Sequence, residues 1–141
     1  MKIKLFLLLI LTCTIFSGCK KDAKLDNKTQ IVGKWYWVEQ TYDSYTNNNL
    51  TGHQDYTTTL DPLSYFEFDI DGTFVENPQD RNGNFNYGKY RIEGNILYIK
   101  RNIDDEEWHY TIKTLSTSRL VIHRTSGESP YRGETEYSMK R

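Results

Sequence analysis

The chain has 141 residues, 18 of them basic and 19 acidic, for a net charge of −1 at neutral pH. So balanced a charge offers no electrostatic footprint for nucleic acid, and the length suits one domain. Both cysteines, Cys13 and Cys19, fall in the first nineteen residues, so no disulfide framework supports the rest and its core must suffice.

The N-terminus is built in three steps. Lys2 and Lys4 form a basic start, and Leu5 to Phe16 is an almost unbroken apolar run. At roughly a dozen residues the run falls short of the about 20 needed to span a bilayer. Small residues Ser17 and Gly18 then lead into Cys19, the pattern of a secretory signal. Phe16-Ser17-Gly18-Cys19 resembles the lipobox of bacterial lipoproteins, which implies cleavage before Cys19 and a thioether from its sulfur to a diacylglycerol. The partner so implied is a membrane, held through the lipid anchor. The implied location is the cell envelope, at the outer membrane on its periplasmic side or at the cell surface. Residues 19–30, with Lys20, Lys21, Lys24 and Lys28, are polar and aperiodic and read as a flexible tether. Their opening, Cys19-Lys20-Lys21-Asp22, resembles that of lipoproteins from the Bacteroidetes. Three parts result: a signal peptide at 1–18, the tether at 19–30 and a folded domain at 31–141.

From residue 31 onward the sequence is written in strands and turns. Eleven tyrosines and abundant Ile, Val, Thr, Phe and Trp, against Ala23 as the only alanine, favour pleated surfaces over helix. Gly33 to Tyr42 reads as a first strand, and the polar stretch Ser44 to Asp55 as a loop. Leu63 to Ile70 alternates, Asp71-Gly72 marks a tight turn, and Thr73 to Glu76 returns. After a loop at Asn77 to Asn84, Phe85 to Ile92 and Ile96 to Arg101 flank a turn at Glu93-Gly94-Asn95. An acidic tip, Asp104 to Glu107, reads as solvated. Trp108, Tyr110 and Ile112 then share one face of a strand. Arg119 to Arg124 and Glu134 to Lys140 close the series, separated by a loop at Thr125 to Gly133. The sum is all-β, eight short strands joined as hairpins. With no helical segments between them, an antiparallel up-and-down barrel is the expected architecture, and a flattened sandwich the alternative.

Specific residues carry a family resemblance. Ile31-Val32-Gly33-Lys34-Trp35 resembles the Gly-x-Trp motif that opens lipocalin barrels. The hairpins Phe66 to Phe74, with Asp71-Gly72-Thr73-Phe74, and Gly88 to Asn95 resemble those of small lipocalin-like lipoproteins. The resemblance covers most of Ile31 to Arg141. It implies that Gly33 and Trp35 close one end of a barrel, with Arg141 (or Lys140) lying over the indole. It also implies a small apolar ligand.

The alternation points Trp35, Trp37, Phe66, Phe68, Phe74, Tyr90, Leu97, Ile99, Trp108, Tyr110, Ile112, Leu120, Ile122, Tyr137 and Met139 inward. An eight-stranded barrel is either filled by such side chains or holds one small ligand. The expected ligand-facing residues are Trp37, Phe68, Tyr90, Trp108 and Tyr110. No enzyme is expected. His53, His109 and His123 lack metal-ligand spacing, and His109 and His123 alternate out of phase with the apolar face, toward solvent. No nucleophile elbow or phosphate loop is present, so no catalytic residue, metal or cofactor is assigned. Two functions remain open at this point. One is binding of a hydrophobic or amphipathic molecule in the barrel. The other is a structural or protein-interaction lipoprotein with a filled barrel, its protein partner unidentified and its contacts made by the loops Thr46 to Thr59 and Thr125 to Gly133.

Overall fold

Residues 26–77 and 85–141 are described by the computed structural model of the chain. The expected signal peptide, Cys19, Lys20, Lys21 and Lys24 lie outside the described residues, as does 78–84 of the Asn77–Asn84 loop. The last residues of the expected tether form one helical turn, α1 (Asn27–Gln30), and the Asn27 side-chain amide donates to the Gly94 carbonyl at 2.9 Å.

The strands are β1 (Gly33–Thr46), β2 (Asn49–Asp55), β3 (Tyr65–Phe68), β4 (Thr73–Asn77), β5 (Asn86–Glu93), β6 (Ile96–Arg101), β7 (Trp108–Leu115), β8 (Arg119–Glu128) and β9 (Tyr131–Lys140). From β3 onward each pairs antiparallel with the next. β1 then closes the sheet, with β3 on one edge (Gly33–Tyr36) and β9 on the other, from Tyr36↔Lys140 to Thr46↔Tyr131. Eight strands thus make a closed antiparallel barrel with no free edge at its wall. The turns β3–β4, β5–β6 and β7–β8 lie with α1 at one end, the base. The β4–β5 and β6–β7 connections lie at the other, the mouth.

Two stretches expected to be loops are strands. β1 runs on to Thr46 and turns into β2, and β8 and β9 continue to Glu128 and Tyr131. Asn47 and Asn48 take positive φ values of 51° and 64°, which asparagine tolerates, and so form a two-residue hairpin turn. The tips of both hairpins are joined, the Asn47 amide donating to the Pro130 carbonyl at 2.8 Å. The result is a four-stranded sheet, β2-β1-β9-β8, continuing past the last β7–β8 pair, Thr111 with His123. There is no core beneath it to demand alternation, so its residues are polar on both faces and read as a loop.

Every inward residue expected from alternation falls in the core or packs against it, joined by Ile31 and Ile92. Rings interlock through the centre: Phe66 meets Trp37, Phe68, Phe74 and Tyr137 with centroids 5.2–6.1 Å apart. These edge-on and tilted contacts add to the burial itself and fill the lower half of the barrel.

Candidate functional site

The base is sealed by Trp35, fully buried, whose indole N–H donates to the Ile31 carbonyl at 2.7 Å. The Arg141 guanidinium lies 4.1 Å over its ring and donates to the carbonyls of Gln30 and Val32 at 2.6 and 2.7 Å. Gly33 has φ +125°, a backbone that side chains rarely adopt, and leaves room for the arginine just above it. Every part of this closure is occupied by the protein itself.

The five residues expected to face a ligand do not share one wall. Phe68 and Tyr90 pack edge-to-face at 4.9 Å in the lower barrel, and the Tyr90 hydroxyl donates to the Asp69 carbonyl. Trp37 and Tyr110 sit midway, each against Tyr137, at 5.3 and 6.3 Å. Trp108 stands at the mouth. Only Trp37, Tyr110 and Trp108 therefore approach the open half.

That half has a different chemistry. Arg101 from β6 and Arg124 from β8, the strands on either side of β7, bring their guanidinium groups to 3.6 and 4.1 Å from the Trp108 ring. Glu76, which is buried, pairs with Arg101 at 2.7 Å and accepts from the Asn86 amide at 2.9 Å. Asp104, from the tip expected to be solvated, adds a longer ion pair to Arg101 at 3.7 Å. Farther along the tip, Glu107 pairs with Arg91 at 2.8 Å. Burial pushes the Glu76 carboxyl above the usual carboxylate range, against the opposing pull of Arg101 and Asn86. Burial likewise raises Tyr110 and Tyr137, whose rings lie beneath, with Arg101 and Arg124 acting the other way. Neither hydroxyl has a hydrogen-bond partner among the described residues.

Glu76, Asn86, Arg101 and Arg124 did not stand out in the sequence, yet a signal was present. Each continues the inward phase of its strand: Glu76 after Phe74, Asn86 before Gly88 and Tyr90, Arg101 after Ile99, Arg124 after Ile122. A polar residue in an apolar phase near a strand end marks the rim of a barrel. Gly88 makes room there: a Cβ on it would lie 2.0 Å from the Lys100 carbonyl, so only glycine lets β5 and β6 approach.

Surface depressions lie beside this interior. One of about 270 Å³ sits between α1 and the β3–β4 turn, and one of about 290 Å³ runs along Trp37, Val38, Leu60 and Pro62. Of the histidines, His109 is exposed, while His123 is tucked 3.4 Å from Glu134 rather than free in solvent. Among the described residues no group of His, Cys, Asp and Glu is arranged to hold a metal ion, and no helix is long and apolar enough to cross a membrane.

A family model described as a lipocalin-like domain matches residues 31–122. Among solved structures the chain is similar to a lipocalin-like protein from Bacteroides uniformis, at 14% identity and a TM-score of 0.51, over 79% of this chain and 98% of that one. It is also similar to lobster apocrustacyanin A1, at 15% identity and a TM-score of 0.57, over 82% of this chain and 62% of that one. At these identities the likeness carries the fold alone. Among curated proteins none matches the chain. With the family model spanning most of the sequence and the barrel closed by β1 on β9, the chain belongs to the lipocalin-like domain family.

Proposed function

We propose that this protein binds a small hydrophobic or amphipathic molecule in the mouth half of its barrel and catalyses no reaction. The carrying observation is the change in chemistry halfway up the interior. Below Phe66 the barrel is filled by packed rings, whereas above it the Trp37 indole N–H and the Arg101 Nε are buried donors without a hydrogen-bond partner among the described residues, beside a tryptophan flanked by arginines. Buried polar groups are normally paired, and a few convergent polar groups in an aromatic setting are what fixes a ligand's orientation. Membership of the lipocalin-like family supports the same reading. We further propose that the chain is a lipoprotein of the cell envelope, anchored at the outer membrane through Cys19, with the domain beginning at about residue 31.

A fluorescence titration with N-phenyl-1-naphthylamine, a neutral probe that brightens in apolar surroundings, tests the binding reading. Saturable binding at one site is expected. Its absence would favour the second reading, a structural or protein-interaction lipoprotein, which the close ring packing around Phe66 supports. Detergent partitioning of wild type and Cys19→Ser tests the anchor. Wild type should enter the detergent phase and the variant should not be lipidated, since the hydroxyl cannot replace the thiolate nucleophile.

A further inference from the structure

Resting on the ligand-binding reading above, we propose that the molecule taken up at the mouth carries an anionic oxygen group on an apolar body, and that Arg124 pairs with that group across the Trp108 ring. Two guanidinium groups approach a single indole, and each half-buried cation is costly unless a counter-charge accompanies it.

Arg101 has its counter-charges in Glu76 and Asp104, at 2.7 and 3.7 Å. Arg124 has no carboxylate and no hydrogen-bond acceptor among the described residues; its guanidinium lies against the Trp108 ring, within electrostatic reach of the Tyr110 and Tyr137 phenols. The acids on adjacent β9 do not serve it. Glu134 and Glu136 occupy the opposite, outward phase, where they pair with Arg132, His123 and Lys113. What faces Arg124 across the ladder is Thr135.

The neutral surroundings point the same way. The Trp37 indole N–H and the Arg101 Nε are buried donors without acceptors among the described residues, against one buried acceptor, Asp104 Oδ2, which lies 3.7 Å from Arg101. The Tyr110 and Tyr137 phenols, protonated at neutral pH like any tyrosine, add two more donors. Donors outnumber acceptors at the mouth, and an oxyanion supplies several acceptor lone pairs at once. An uncharged ligand would instead bury Arg124 further with nothing to offset its charge.

A matched pair of probes separates this inference from the reading on which it rests. Anilinonaphthalene sulfonate carries a sulfonate on the same scaffold as neutral N-phenyl-1-naphthylamine. The sulfonate is expected to bind about tenfold more tightly, as befits one charge-assisted contact. Arg124→Gln should bring the ratio of the two affinities to about one, and Arg124→Lys should keep part of the preference. Arg119→Gln, an exposed change of the same charge at the base, should leave the preference intact. Equal affinity of wild type for both probes, or full sulfonate binding by Arg124→Gln, would overturn the inference and leave the ligand-binding reading standing. Failure of both probes to bind would overturn the two together. Competition identifies the source of the anion. Decanoate should displace the sulfonate far below the concentration at which inorganic phosphate does; displacement by phosphate alone would contradict the apolar body. Should Arg124→Gln fail to fold, the ratio of the two affinities in Arg124→Lys still decides, since a smaller preference than in wild type is expected and an unchanged one is not.

Discussion

The two ends of this barrel place the same pair of side chains in opposite surroundings. At the base, Arg141 lies over Trp35 and spends its donors on the carbonyls of Gln30 and Val32. At the mouth, Arg124 lies over Trp108 with its donors unspent among the described residues. An indole–guanidinium stack is a lock when the protein supplies the acceptors; where it does not, as at the mouth, we propose that it is a docking point. The difference lies in what surrounds the pair: Trp35 is fully buried behind Ile31 and the start of β1, whereas Trp108 is only partly buried.

That contrast can be broken from either side. The largest effect should come at the base. Trp35→Ala removes a fully buried ring and should cost about 3–5 kcal/mol of unfolding free energy, read from denaturant midpoints at constant m-value. A loss below about 1 kcal/mol would mean that the base is not a packed closure.

Next is the response to alkali, which probes the middle and mouth. Tyr110 and Tyr137 are raised by burial above the ordinary phenol value of 10.0. Above about pH 10 the unfolded chain gives up these protons and the folded chain keeps them. The folded state then binds more protons, so stability, fully present below that pH, falls as pH rises. The slope should approach about 1.4 kcal/mol per pH unit for each proton so retained, and Tyr110→Phe should reduce it. Melts between pH 9 and 11 with no added slope would contradict the burial of these phenols.

The smallest and most pointed comparison sets the two arginines side by side. Arg141→Ala should cost about 1–2 kcal/mol, since it strips the indole of its cation and two carbonyls of their donors. Arg124→Gln should change stability by less than about 0.5 kcal/mol, because no acceptor within the described chain loses a partner. Equal costs at the two sites would erase the distinction between lock and docking point.

The fold was largely legible in the sequence because period-two alternation is strict wherever one face is buried. Phe66, Phe68 and Phe74, or Leu97 and Ile99, declare their faces without ambiguity. It failed where burial ends. Ser44 to Asp55 and Thr125 to Gly133 pair as strands above the barrel, yet no core lies against them to impose alternation, so hydrophobicity no longer reports the pleat. The site was less legible for a related reason. Trp37, Trp108 and Tyr110 were found by their size, and Phe68 and Tyr90 were grouped with them although their height in the barrel separates them. Alternation gives the face of a residue but not its level along the axis. Glu76, Arg101 and Arg124 enter the sequence reading only as the last residues of their strands. Their inward phase, one step beyond the last apolar residue, was the signal that marked them as the rim.

The three tryptophans of this chain report on the base, the wall and the mouth. An amide correlation NMR spectrum of the 15N-labelled protein resolves their indole N–H groups as separate signals, and titration with anilinonaphthalene sulfonate tests the central claim directly. Ligand binding at the mouth predicts that the Trp108 signal shifts most, Trp37 less, and that Trp35 stays in place until the protein is saturated. A shift led by Trp35, or saturating probe with all three signals unmoved, would contradict it.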